Sequence, residues 1–190
     1  YEARLGGSSA VSVVRSFWTS NRDDAVLYEG FGDSNFSGWV QNNGIPTQTE
    51  TIARTGRFSY ILDQNADLIS RNFAAPQAAK ISIWMYDNMQ SGIATVAVVN
   101  VVYQDQNWAA IGVNVRTNRD CYVCRIGSEW IKTTVLRTEG WHELTWKFQD
   151  GNRVLSIDDT VVYTLPGQNG FTSMCIGDCW NDPDEGGIAG

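Results

Sequence analysis

Residues 140–164 read GWHELTWKFQDGNRVLSIDDTVVYT, and their alternation decides the fold. Successive side chains of a strand point to opposite faces. Leu144, Trp146 and Phe148 therefore share one side, and Glu143, Thr145 and Lys147 the other. Asp150-Gly151 is the dipeptide a tight hairpin wants, because such a turn needs positive φ. The return run alternates again, with Val154 and Ser156 opposite Leu155 and Ile157, and a second turn at Asp158-Asp159 starts 160–164. The stretch is an antiparallel meander with one buried face.

Strand-like runs recur outward from this meander with turn residues between them. They are expected at 38–41, 47–52, 57–62, 67–73, 80–86, 93–103, 107–116, 121–126, 130–135 and 171–177. Helical 3,4-spacing never persists, so many short strands joined by Gly, Asn and Asp turns predict an all-β antiparallel sandwich or barrel. Residues 25–190 read as one β-sandwich domain and residues 1–24 as an N-terminal extension or extra strand. Gly6-Gly7-Ser8-Ser9 is a flexible break within that extension.

The 190 residues suit one domain, and an apolar share of 43% is enough for its core. Eight Trp, seven Tyr and seven Phe exceed what such a core requires, so some are expected at the surface for binding. A net charge of −7 would repel nucleic-acid phosphates and an anionic membrane surface alike, and neither is expected as a partner. No run reaches the roughly 18 apolar residues of a membrane-spanning helix. The start at Tyr1, without Met or a signal segment, reads as a processed or excised piece of a secreted protein.

Four cysteines fall in two close pairs, Cys121/Cys124 and Cys175/Cys179. In a secreted chain two disulfides are the preferred reading. A four-thiolate zinc site is permitted by the spacings, and buried thiols are the third possibility. Against zinc, strand alternation puts Cys121 and Cys124 on opposite faces.

Alternation also separates a possible binding face from the core. In 80–86, Ile81, Ile83 and Met85 form the apolar set and leave Ser82, Trp84 and Tyr86 opposite. In 107–116, Ala109, Ile111, Val113 and Val115 leave Trp108, Ala110, Gly112, Asn114 and Arg116 opposite. Flat aromatics, small residues and a few hydrogen-bonding groups suit sugars, whose C–H faces stack on rings while their hydroxyls need fixed partners. The competing reading is that Trp84 and Trp108 simply pack under a loop or second layer. Trp39 and Trp146 read as core, and Trp141 as a plug at one end of it.

FGDSNFSGW (31–39), ARTGRFSYIL (53–62), GWHELTWKF (140–148) and VLSIDDTVVY (154–163) together resemble the concanavalin A-like, laminin G-like jelly rolls. That superfamily includes carbohydrate-binding modules and polysaccharide-degrading enzymes, and the resemblance covers roughly residues 25–178. It implies two stacked curved antiparallel sheets, with ligand on the concave sheet or on edge loops. These motifs are structural, so they speak to fold more than to activity. Such domains usually finish with a closing strand after the segment resembling MCIGD (174–178), whereas this chain runs into WNDPDEGGIAG (180–190). Residues 10–15 are therefore expected to supply a strand beside the body; the alternative is a fragment cut short, with an edge left open.

Catalytic patterns of that superfamily are missing. The E-x-D-x-E strand of laminarinase-like members and the Q-x-H strand of alginate-lyase-like members are absent. Glu139 and Glu143 stand four apart with Trp141 between them, and neither has an acidic partner at i+2 to complete the carboxylate row of such a strand. The single histidine, His142, reads as structural or solvated, and no G-x-S-x-G elbow exists. Asp33-Ser34-Asn35-Phe36-Ser37-Gly38 resembles half of a calcium loop, but Gly44 stands where the bidentate Glu belongs. Jelly-roll binding modules often carry a structural calcium near the first strand, so the resemblance makes Glu29 and Asp33 candidate ligands and Ca2+ the one cofactor to consider. Asp178, Asp182, Asp184 and Glu185 read as a solvated acidic loop.

The sequence thus predicts a secreted, non-catalytic domain that binds a polysaccharide or oligosaccharide, cut from a larger chain with other domains. Trp84, Tyr86 and Trp108 would stack on sugar, Asn114 and Arg116 would supply hydrogen bonds, and Arg116 would favour acidic groups. The alternatives are a jelly-roll hydrolase or lyase, and a structural or adhesion domain that binds protein.

Overall fold

The computed structural model describes residues 12–16, 38–42, 47–54, 59–61, 68–77, 80–90, 93–100, 105–166, 170–177 and 179. Fourteen strands lie among them: β1 Ser12–Ser16, β2 Val40–Asn42, β3 Thr47–Thr49, β4 Ser59–Ile61, β5 Leu68–Gln77, β6 Lys80–Asp87 and β7 Ile93–Asn100. They continue with β8 Asp105–Asn114, β9 Cys121–Ile126, β10 Glu129–Leu136, β11 Gly140–Gln149, β12 Asn152–Ile157, β13 Thr160–Pro166 and β14 Phe171–Gly177. No helix occurs among the described residues.

The strands form two seven-stranded sheets, in the orders β13-β12-β11-β6-β1-β4-β3 and β10-β9-β8-β7-β14-β5-β2. Every neighbouring pair is antiparallel. One hydrophobic cluster draws on both sheets. Ile81, Ile83, Met85, Leu144, Trp146, Leu155 and Ile157 come from the first, and Ile69, Ala109, Ile111, Val113, Tyr122, Met174 and Ile176 from the second. This is the sandwich logic of two apolar faces closed on each other.

The meander seeds the first sheet. Asp150 and Gly151 take φ of 51° and 72°, and Asp158 and Asp159 take 47° and 63°. Both hairpins therefore turn through two positive-φ residues, which matches the right-handed twist of their strands. Leu144, Trp146, Leu155 and Ile157 are completely buried, as the alternation requires.

The N-terminal segment contributes β1, which lies between β6 and β4, with Val14 opposite Trp84 and Val13 opposite Tyr60. Strand β5 runs to Gln77, beyond the expected end at Phe73. Pro76 falls where the register with β14 shifts, between the Phe171–Gln77 and Ser173–Asn72 pairs, and an irregular pairing is where a strand tolerates proline.

The disulfide expectation is corrected: all four cysteines are thiols. Cys121 and Cys124 are three residues apart along β9, about 10 Å in extended chain, which is beyond the Cα separation a disulfide bridges. Cys124 packs in the shared core, while Cys175 lies in a separate small cluster with Ala110, against which Cys179 packs. The four thiols do not converge on one point. The Cys179 thiol sits 3.7 Å from the Thr95 carbonyl and 3.6 Å from that of Gly177.

Candidate functional site

The outward face of the first sheet is set by the pairing of β6 with β11. Lys80 stands opposite Lys147, Ser82 opposite Thr145, Trp84 opposite Glu143 and Tyr86 opposite Trp141. Each alternates with a core residue, so all eight belong to the face turned away from the shared core. Strand β12 extends two rows, with Val154 beside Lys147 and Ser156 beside Thr145. The result is a ladder of four rows: cations, hydroxyls, an indole with a carboxylate, and an aromatic pair.

The aromatic row is half-buried. The Tyr86 and Trp141 rings meet edge to face, with centroids 5.4 Å apart. This is a favoured geometry for two ring quadrupoles, and it holds both rings in place. The Tyr86 hydroxyl donates to Glu139 Oε1 at 3.3 Å. Burial, and then the Glu139 carboxylate, push the Tyr86 phenol above its ordinary value, so it remains a neutral donor.

The next row is differently engaged. The Arg54 guanidinium lies 3.5 Å from the centroid of the Trp84 ring, a cation–π contact. One face of Trp84 is therefore taken, and the residue serves as a seat for Arg54 rather than as an open stacking platform. Glu143 Oε1 accepts a hydrogen bond from the Ser82 hydroxyl and lies 3.6 Å from Lys80 Nζ. Glu139 and Glu143 are thus held by different partners.

The residues expected to bind together do not share a surface. Trp84 and Tyr86 are on β6 in the first sheet, whereas Trp108 and Asn114 are on β8 in the second and Arg116 follows that strand. Asn114 is buried, and its Oδ1 accepts from the backbone N–H groups of Arg116 at 3.1 Å and Thr117 at 3.3 Å. That side chain shapes the turn after β8, as Asn does when it caps its own chain. Arg116 is exposed, and the Trp108 side chain lies outside the described residues. Glu29 and Asp33, the calcium candidates, also lie outside them. Among the described residues no group of three or more His, Cys, Asp or Glu side chains is placed to hold a metal.

Sequence reasoning did not single out Trp141, Arg54 or Lys80 as binding residues. Trp141 does pack partly against the core, as a plug would, but its ring also completes the outer aromatic row. The signal that finds it is cross-strand register, which alternation within one strand does not contain.

His142 superficially completes a hydroxyl–imidazole–carboxylate line. Nδ1 is 2.6 Å from Asp158 Oδ2, and Nε2 is 3.2 Å from Thr138 Oγ1. Its shorter contact at Nε2, however, is the Thr138 carbonyl at 2.8 Å. A carbonyl only accepts, so Nε2 carries a proton there and is not a base for the Thr138 hydroxyl. Asp158 Oδ1 also accepts from the Glu143 N–H at 2.8 Å. The imidazole and carboxylate pin the β12–β13 turn to the start of β11.

No protein-family model matches this sequence, and no curated protein matches it.

Proposed function

We propose that this is a secreted carbohydrate-binding domain of concanavalin A-like jelly-roll architecture, which holds a polysaccharide on the outward face of its first sheet. Tyr86 and Trp141 supply the stacking surface; Glu139, Glu143 and the Ser156 hydroxyl supply partners for sugar hydroxyls. One observation carries the reading: two half-buried rings fixed edge to face on adjacent strands, bordered by a carboxylate and continued by a polar ladder. Sugar recognition needs that pairing of flat apolar surface with fixed hydrogen-bonding groups. The site differs from the sequence expectation in replacing Trp84, Trp108, Asn114 and Arg116 with Trp141 and the neighbouring Glu139, Glu143 and Ser156.

A panel of immobilised neutral and acidic polysaccharides, probed with the purified chain, tests the proposal. Binding to at least one class, competed by oligosaccharides of that class, is the expected result. Failure to retain the chain on any polymer would reject it.

A further inference from the structure

The ladder is polar along its length as well as across it. Tyr86 and Trp141 form one end, and Lys80 and Lys147 the other, six residues along the strands. At about 3.3 Å per residue this is about 20 Å. Between them lie Ser82 and Thr145, short buried side chains between taller neighbours, with Ser156 beside Thr145.

The two lysines stand directly opposite each other, an arrangement that costs stability because like charges repel. Lys80 reaches Glu143, whereas Lys147 is exposed and makes no ion pair with any described residue. Arg54, stacked on Trp84, adds a third cation to the same face. A chain with a net charge of −7 thus gathers Arg54, Lys80 and Lys147 on the surface that carries its aromatic row. At the lysine end two cations face one carboxylate, Glu143, while Glu139 lies at the aromatic end, so a modest positive excess is confined to the lysine end.

We infer that the ligand is a uronate-bearing polysaccharide lying along β6 and β11, with one sugar stacked on Tyr86 and Trp141 and a carboxylate held by Lys80 and Lys147. The inference rests on the carbohydrate-binding reading above. A modest excess suits a polymer carrying one carboxylate per acidic sugar. A densely sulfated chain would place its anions against Glu139 and Glu143 as well, which like-charge repulsion disfavours.

The test uses the full chain with polygalacturonate and alginate, each beside its methyl-esterified neutral form, and with dextran sulfate. At low salt at least one polyuronate should bind about tenfold tighter than its own ester, the scale expected of two surface charge contacts. The preference should shrink as salt is raised. Lys80→Gln combined with Lys147→Gln should abolish it while the ester still binds; Tyr86→Ala should weaken acid and ester together. Equal binding of acid and ester, retention of the preference by the double lysine variant, or tighter binding of dextran sulfate would each overturn the inference while leaving the broader reading intact. Binding to none of these polymers, nor to any of the neutral panel, would overturn both.

Discussion

Arg137 grips Asp87 with two parallel hydrogen bonds of 2.8 Å, Nε to Oδ2 and Nη2 to Oδ1, and both side chains are only 2% exposed. Asp87 ends β6 in the first sheet, and Arg137 follows β10 in the second. Nη1 also donates to the Arg119 carbonyl and Nη2 to that of Gln90, so four of the five N–H groups are used. A bidentate pair with further hydrogen bonds to backbone carbonyls is the form in which a buried ion pair is tolerated. It joins the two sheets next to the aromatic end of the ladder, one residue from Tyr86.

Breaking this clamp should destabilise the fold more than any surface change. Asp87→Ala leaves a buried guanidinium without its partner, so a loss of about 3–5 kcal/mol is expected in urea unfolding. Replacing both residues with apolar side chains of similar volume should recover much of it. A loss below about 1 kcal/mol for the single variant would mean the pair is not buried as described.

Backbone strain separates two glycines. Gly151 has φ +72°, and a Cβ added there would meet nothing within 4 Å, so Gly151→Ala should cost only the conformational term, about 1 kcal/mol. Gly38 has φ +82° and its Cβ would meet Arg71 Nη1 at 2.9 Å, while Arg71 lies over the Trp39 ring at 5.9 Å. Gly38→Ala should cost more than Gly151→Ala, because a side chain packed beside a core tryptophan must also move. Thermal melts of the two variants in parallel check the order.

The thiols give a chemical and a pH prediction. Unfolding without reductant should expose four titratable sulfhydryls to a thiol reagent, and fewer would indicate a bridge. Burial pushes the Cys124 thiol up to about 12 from an ordinary value of 9.0. The unfolded chain then ionises first as pH rises, so the unfolded state holds fewer protons and stability falls above pH 9. The loss from this group should be about 1 kcal/mol at pH 10 relative to pH 7. Tyr122, whose phenol is raised by burial and then by Asp87, adds to the decline at higher pH. Cys124→Ala should flatten the profile between pH 9 and 10; an unchanged slope would contradict the assignment.

Local signals made much of the scaffold legible. Asp150-Gly151 and Asp158-Asp159 announced their turns because positive φ is demanded by geometry, and strands 121–126 and 171–177 have the bounds their sequence suggests. Alternation also picked out the core sets of β6 and β8, although Ser82, Ala110 and Asn114 on the opposite faces are buried as well. It could not say which sheet each strand joins. Trp84 and Trp108 look equivalent in sequence, yet β6 finds β11 and β1 while β8 finds β7 and β9. Sheet membership is a long-range choice made by the shared core. For the same reason the Tyr86–Trp141 pair, the Arg54–Trp84 stack and the Asp87–Arg137 clamp were hidden: each joins segments far apart in the chain. Two cysteines three apart look bridgeable in sequence only until the strand extends them.

Titration calorimetry with the best-binding polysaccharide, on the wild type and on Tyr86→Ala and Trp141→Ala, shows whether the aromatic row of the first sheet holds the glycan. Loss of a stacked aromatic should weaken binding by about 1–3 kcal/mol, roughly a 5- to 150-fold change, with the melting temperature lowered by only a few degrees. Wild-type affinity in both variants, each still folded, would contradict the assignment of this face as the glycan site.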